Sequence, residues 1–410
     1  MFGIIAILLH SYTERWCNRM VLKAFKFQCY PTKEQATLIQ KTFGCCRFVF
    51  NQLLGEQQER DRQWTISNET TKSDQAWQTD GTSGMFNKFD NIKKIPALKK
   101  EYPFLKEVDS IALQSTVEHL ADGFDRFYKK QNGKPKFKTK KNPVQSYTTK
   151  SVNGNISIDE NLIKIPKLGF LRFAKSREVT GTIKRVILRQ NATGNYFISV
   201  LAETEVTPLP KTEKTIGIDL GLSSFATFST GETIPNHRFF AKLEKQLQKA
   251  QRILSRRIRL ARDKGIPLQE AKNVQKQRIQ VAKLYEKMQN KRHDFLHKLS
   301  TQLVKKHDII CAEDLSTKAL MEGKEYAKSI ADVSWATFLT MVEYKAIWYG
   351  KKFVKVGKCF LLRNFVLLVA KKKRKRRTFR FVPGFVRRVI HCTTATKMPL
   401  IIFLSKVYTF

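Results

Sequence analysis

Seven cysteines stand in this chain (Cys17, Cys29, Cys45, Cys46, Cys311, Cys359 and Cys392), yet none form a Cys-x-x-Cys pair. The sequence as it stands therefore holds no zinc ribbon and no dithiol redox motif. Scattered thiols of this kind read as reduced groups in a cytosolic protein. No apolar run reaches the length of a membrane-spanning helix. The stretch Phe2-Gly-Ile-Ile-Ala-Ile-Leu-Leu9 has neither a basic segment before it nor a small-residue cleavage site after it, so it is not read as a signal peptide. Acids are scarce, with 35 Asp and Glu against 76 Lys and Arg, which leaves a net charge of +41. That excess opposes compaction of a lone protein and suits a polyanionic partner. A membrane surface is the weaker alternative, because the basic residues are spread along the chain.

What is present is enough for two or three domains: 410 residues, 42% of them hydrophobic. The stretch Thr215-Ile-Gly-Ile-Asp-Leu-Gly-Leu-Ser-Ser-Phe-Ala-Thr-Phe-Ser-Thr-Gly231 reads as a β-hairpin with Asp219 at the middle of its first strand. A carboxylate there is expected to have lost water on most sides and to need a cation beside it. A second short strand, Asp308-Ile-Ile-Cys-Ala-Glu-Asp-Leu315, ends in Glu313 and Asp314. Two strands of one sheet would bring Asp219 and Glu313 together. Paired acids bind Mg²⁺ or Mn²⁺ and position water for attack on a phosphodiester. The plainer reading makes each acid a strand-end cap or an ion-pair partner.

Ile216-Gly-Ile-Asp-Leu-Gly221, Ala312-Glu-Asp-Leu-Ser316 and Ser334-Trp-Ala-Thr-Phe338 together resemble the RuvC-type nuclease core of TnpB/OrfB proteins, insertion-sequence transposases that act as RNA-guided DNA endonucleases. The resemblance runs from about Met20 to Lys358. It implies an α/β fold: an RNase H-like (RuvC) mixed-sheet nuclease domain, preceded by a small β-barrel wedge domain with a helical insertion. It implies catalytic, Mg²⁺-binding roles for Asp219 and Glu313. The implied partners are a guide RNA transcribed from the element and double-stranded target DNA, bound by a monomer in a prokaryotic cytoplasm, at the nucleoid when on DNA.

The implied domains are a wedge barrel at 20–45 and 145–207, a helical recognition lobe at 46–144, and a nuclease domain at 213–358 with a helical insertion at 239–305. Residues 1–19 read as an upstream start or a disordered leader. Family descriptions place a helix-turn-helix at about 20–65. Here the apolar spacing Ala36, Ile39, Phe43, Cys46, Phe50 after the Thr32/Gln35 capping box fits a plain helical hairpin equally well, and that reading is preferred. Residues 55–85 read as a polar loop. The basic-aromatic run from Phe127 to Lys141 offers Lys134, Lys136, Phe137, Lys138, Lys140 and Lys141, with Tyr147 beyond it, as nucleic-acid contacts. Lysines would take phosphates and the rings would stack bases. The alternative is a solvated linker. His293 and His297, one helical turn apart, match a zinc spacing but lack an acid or third ligand nearby, so they read as packing residues.

The chain departs from the family after Lys358. The family's zinc ribbon and its third aspartate are absent, and no Asp or Glu occurs from Cys359 to Phe410. Shifted by one base, the codons of Phe365-Val366, Leu368-Val369, Phe385-Val386 and Arg388-Val389 admit cysteines at zinc-ribbon spacing. Those of residues 393–399 admit Asp-Arg-Asp and then Asn-Ala. We read the tail as frameshifted and basic, in place of the ribbon, with no zinc site. The DNA around codon 358 decides this; an alternative frame without those cysteines ends the idea. Two acids without a third predict impaired cleavage. The alternative function is a non-catalytic RNA- or DNA-binding regulator of its own element. A strand-transfer transposase fits less well, since no His-hydrophobe-His motif is present.

Overall fold

A computed structural model describes residues 20–70, 85–205, 208–313 and 332–356. The leader expected at 1–19, the tail from Cys359 and Asp314 lie outside the described residues. The chain divides into two compact units, Met20–Thr204 and the residues from Glu205 on. The architecture is mixed α/β with three sheets.

The first unit opens with β1 (Met20–Cys29), whose alternation turns Phe25, Phe27 and Cys29 inward. Pro31 stops the strand and Thr32 starts α1 (Lys33–Thr70). The Thr32 hydroxyl accepts from the Gln35 amide at 3.2 Å, and the Gln35 side-chain oxygen accepts from the Thr32 amide at 3.1 Å, the reciprocal capping box. Ile39, Phe43, Cys46, Val49, Phe50 and Leu53 line its buried stripe.

Two expectations are corrected here. The helix is continuous, so residues 33–70 are not the expected helical hairpin. The loop expected from residue 55 is helical as far as Thr70, while 71–84 lie outside the described residues. The reason is local. Residues 56–70 contain no proline or glycine. Their polar side chains bond along the helix, as Gln57 to Asp61 and Gln63 to Glu59 at i,i+4. Polarity alone did not separate a solvated helix from a loop.

Short helices α2 (Lys88–Lys93) and α3 (Ile95–Glu101) lead to α4 (Ser110–Tyr128). Asp109 caps α4 by accepting from the Ile111 amide, and its second oxygen accepts from the Thr149 hydroxyl of β2 (Gln145–Lys150). Leu113, Val117, Leu120 and Phe124 of α4 are buried in the same core as α1.

Strands β3 (Ser157–Asp159), β4 (Leu162–Ile165) and β5 (Gly169–Arg172) form one antiparallel sheet. Strands β6 (Thr182–Gln190) and β7 (Tyr196–Glu205) join β1 and β2 in the order β1-β7-β6-β2. The end of β1 reaches the smaller sheet through the Cys29–Phe173 bridge and the Tyr30 amide on the Arg172 carbonyl at 2.8 Å. Tyr147 of β2 points into this core, 6% exposed, with its ring 5.9 Å from that of Phe43. Burial pushes its phenol well above the usual range.

The second unit is a five-stranded sheet ordered β10-β9-β8-β11-β12. Strands β8 (Thr215–Leu220), β9 (Ser224–Phe228) and β10 (Thr233–Pro235) form an antiparallel meander, one strand more than the expected hairpin. The hairpin of α5 (Phe239–Asp263) and α6 (Lys272–Lys306) turns at Gly265 with φ +63°, near the break expected at 264–267. Strand β11 (Ile309–Glu313), helix α7 (Trp335–Trp348) and β12 (Lys352–Val356) complete the unit. Leu296, Leu299 and Leu303 of α6 and Phe338 and Val342 of α7 cover the sheet face carrying Ile216, Ile218, Ile310 and Ala312.

A buried ion pair sets the starts of the three parallel strands. The Asp308 carboxylate accepts from Lys351 at 2.5 Å and from the amides of Thr212 at 2.8 Å and Glu213 at 2.6 Å. Its burial would raise its pKa. The Lys351 hydrogen bond and the two amides outweigh that and hold the carboxyl below the usual range.

Lys345 of α7 is a different kind of buried cation. It is 5% exposed and donates to the His297 carbonyl and the Ser300 and Thr301 hydroxyls of α6, at 2.7–2.8 Å. Burial pushes its ammonium down to about 8.

Two outcomes follow from these placements. Lys345 is charged more readily in the unfolded chain than in the folded one. Between its folded value of about 8 and an unfolded value of ~10.4, unfolding takes up a proton, so stability rises with pH across that window. Lys345→Met should abolish the rise, read from denaturant midpoints between the two pH values. Tyr147→Ala should cost about 3–5 kcal/mol in the same unfolding assay, whereas Tyr147→Phe should leave nucleic-acid affinity unchanged.

Candidate active site on the five-stranded sheet

The site is built by strand register. Strands β8 and β11 run parallel, with Ile309 opposite Thr215 and each pair following up to Ala312 opposite Ile218. The next residues along the two strands are Glu313 and Asp219. Adjacent strands lie ~4.8 Å apart, so the two acids stand as neighbours on one face. Alternation puts them on the face opposite the core, because Ile218 and Ala312 point into it. On its other side Asp219 pairs with Thr227 of β9. The row across three strands is therefore Thr227, Asp219, Glu313.

Asp219 is the fifth of the six residues in β8 rather than its middle, and it is exposed, so the expectation of a carboxylate stripped of water on most sides is corrected. Enough protein surrounds the carboxyl that partial burial still raises its pKa, opposed by a hydrogen bond from the Leu220 amide. Thr227 is half-buried, its hydroxyl 3.4 Å from that of Ser224. Glu313 is half-buried. Two hard oxygen donors side by side at a solvent-reached sheet end fit a divalent cation that keeps part of its water shell. Among the described residues no group of three or more His, Cys, Asp or Glu side chains gathers as a metal site. That includes His293 and His297, whose rings are 6.3 Å apart.

The residues proposed for nucleic acid do not behave as a set. Lys134 is paired with Asp61 at 2.7 Å. Lys136, Lys140 and Lys141 are exposed, and Phe137 is 51% exposed. Lys138 lays its ammonium 4.0 Å above the Phe50 ring, and desolvation there lowers its pKa. The base-stacking role expected of Tyr147 is corrected, since its ring is spent on the core. Asn51 went unnoticed in the sequence. Its amide side chain accepts from the Lys138 amide at 2.8 Å and donates to the Lys138 carbonyl at 2.9 Å, clamping the segment to α1. Asp308 and Lys351 were also missed as a pair, because they come together only across adjacent strands.

The family models and the curated relatives agree on one family. A family model described as "Probable transposase" matches residues 197–323, a span that contains both acids, and one described as "Helix-turn-helix domain" matches residues 20–63. A Streptomyces pristinaespiralis protein named "Putative RNA-guided DNA endonuclease" is 32% identical over 349 residues, covering 83% of this chain and 79% of that protein. The InsQ protein of Escherichia coli K12, which carries the same description, is 29% identical over 82% of this chain and 80% of its own length. A solved Cas12f1-sgRNA-target DNA complex aligns over 88% of this chain and 96% of that one, with a TM-score of 0.44 and 12% identity. By its motifs and its identity with these relatives, the chain belongs to the TnpB/OrfB family of insertion-sequence transposases.

Proposed function

We propose that this chain is an RNA-guided DNA-binding protein whose second unit is an RNase H-like nuclease domain with Asp219 and Glu313 as its catalytic carboxylates. The observation that carries the reading is the parallel register that makes those two acids neighbours. Both would hold Mg²⁺ or Mn²⁺, which supplies Lewis-acid stabilisation of a phosphodiester and a more acidic bound water. The chain's own part is to hold two oxygens at fixed spacing on a rigid sheet end and to admit solvent there. The raised pKa of Asp219 lets a proton compete with the metal for its carboxyl, so metal binding should weaken as pH falls.

The partners are a guide RNA from the element and double-stranded DNA, with the protein a monomer in a prokaryotic cytoplasm. The two sheets of the first unit close as a wedge-type barrel, the helices within 46–144 act as the recognition lobe, and the basic faces of α5 and α6 wall an RNA–DNA duplex held by shape and charge. Lys134, Lys136, Phe137, Lys138, Lys140 and Lys141 are further nucleic-acid contacts, on the first unit. Two carboxylates hold a cation more loosely than three, so cleavage is impaired while affinity for nucleic acid is kept.

The test uses the 410-residue chain with RNA transcribed from DNA flanking its gene. Mn²⁺ binding followed by electron paramagnetic resonance should be lost in Asp219→Asn and in Glu313→Gln, and should weaken in the parent as pH falls. Unchanged Mn²⁺ binding in both variants sinks the site. Robust guided cleavage by the parent, abolished in Asp219→Asn, would keep the site and overturn the impairment.

A further inference from the structure

The row that carries the two acids can be followed across the whole sheet. From β10 to β12 it runs Thr233, Thr227, Asp219, Glu313, Val356. Val356 is apolar and ends the row beyond Glu313. One row nearer the strand starts, on the same face, Gly217 stands opposite Cys311, and both are buried. Neither has a side-chain oxygen. Ser229 beside Gly217 has one, but its hydroxyl accepts from the Gly217 amide at 3.2 Å. Thr233 lies two strands from Asp219, roughly 10 Å. Among the described residues of this face, Thr227 is therefore the side-chain oxygen left beside the acid pair.

The Thr227 hydroxyl is barely engaged. Its hydrogen-bond contact is the Ser224 hydroxyl at 3.4 Å, long for a pair of oxygens. The hydrogen bond on the Asp219 carboxyl comes instead from the Leu220 amide. A hydroxyl offers one donor and two acceptor sites, so most of the capacity of Thr227 is open. The residue is half-buried beside an exposed Asp219, at the margin of the solvent that reaches the acids. Its β-branched shape suits a strand and would by itself account for a threonine here. Valine has that shape without the oxygen, which makes the two accounts separable.

We propose that Thr227 is a positioning residue of the divalent-cation site: its hydroxyl, backed by that of Ser224, holds by hydrogen bond a water that the cation keeps on the Asp219 side. A hard cation bound through two carboxylates retains several waters. Partners one step out from the ligands orient the inner groups and tune affinity. The strand next to Asp219 thus contributes a neutral oxygen, in a row with two carboxylates, from a rigid position. The inference rests on the reading of Asp219 and Glu313 as metal ligands and adds a residue that the acid motifs do not point to.

The experiment titrates Mn²⁺ into the full chain without nucleic acid, followed by electron paramagnetic resonance. Thr227→Val should weaken binding by about tenfold, the low end for a residue one step out from a metal. It should also change the zero-field splitting of the Mn²⁺ that still binds, while thermal melting in EDTA stays at the parent value or rises. Thr227→Ser should recover most of the affinity. Ser224→Ala, which leaves the packing of Thr227 in place, should give a smaller loss of the same kind and serves if the valine variant fails to fold. Parent affinity in both Thr227→Val and Ser224→Ala, with binding lost in Asp219→Asn, overturns the role of Thr227 and leaves the nuclease site standing. Equal losses in Thr227→Val and Thr227→Ser also overturn it, since they mark packing rather than a hydroxyl. Binding unchanged in Asp219→Asn and Glu313→Gln removes the metal site itself and this inference with it.

Discussion

The parallel pairing of β8 with β11 is the constraint on which the second unit depends. Side chains in a strand alternate faces, so a slip of one residue in this pairing would send Glu313 to the face opposite Asp219 and Ala312 out of the core. Two features hold the register. On one face Ile216, Ile218, Ile310 and Ala312 must all meet the helical layer of α6 and α7. At the strand starts Asp308 gathers the amides of Thr212 and Glu213 and the ammonium of Lys351, which stand before β8 and β12. The apolar layer and the ion pair specify the same alignment from two directions.

The buried cations illustrate how differently a charge can be accommodated. Lys351 has a carboxylate and a carbonyl, and its partner's pKa is depressed by the contact. Lys345 donates to three neutral oxygens, and its own pKa falls instead. The first arrangement resists acid down to the carboxyl's depressed titration. The second leaves a group that gives up its proton near the upper end of physiological pH. Lys351 stands where β12 begins and Lys345 between α6 and α7, so the packing of this unit rests partly on titratable contacts.

In the first unit the long helix α1 serves as a spine for unrelated partners. Its start is tied to the smaller sheet by Gln35, whose side-chain amide donates to the carbonyls of Leu168 and Phe170. Its middle buries Ile39 through Leu54 against α4, and Asn51 and Phe50 dock the lysine segment on another side. One continuous helix therefore sets the position of a sheet, a helical layer and a basic strand. A hairpin or a turn in the same span would have separated them.

Much of this was legible in the residues. Alternation located β1, β6 and β7, apolar runs ending in an acid located β8 and β11, and the capping box at Thr32 and Gln35 marked where α1 begins. The two strand acids stood out because a carboxylate after an apolar run is uncommon, and their kinship with a known family followed from short motifs. The length of α1 was not legible, because Gln, Glu and Arg serve a solvated helix and a polar loop alike. Nor was the fate of Tyr147, since one strand of alternating residues does not say which face is covered. Sequence by itself determined the local elements, the excess of positive charge and the chemistry of the candidate acids, because those depend on neighbours a few positions away. Only the tertiary structure decided that Asp219 sits beside Glu313 and Thr227 and that Lys138 lies on Phe50, because register and packing join residues distant along the chain.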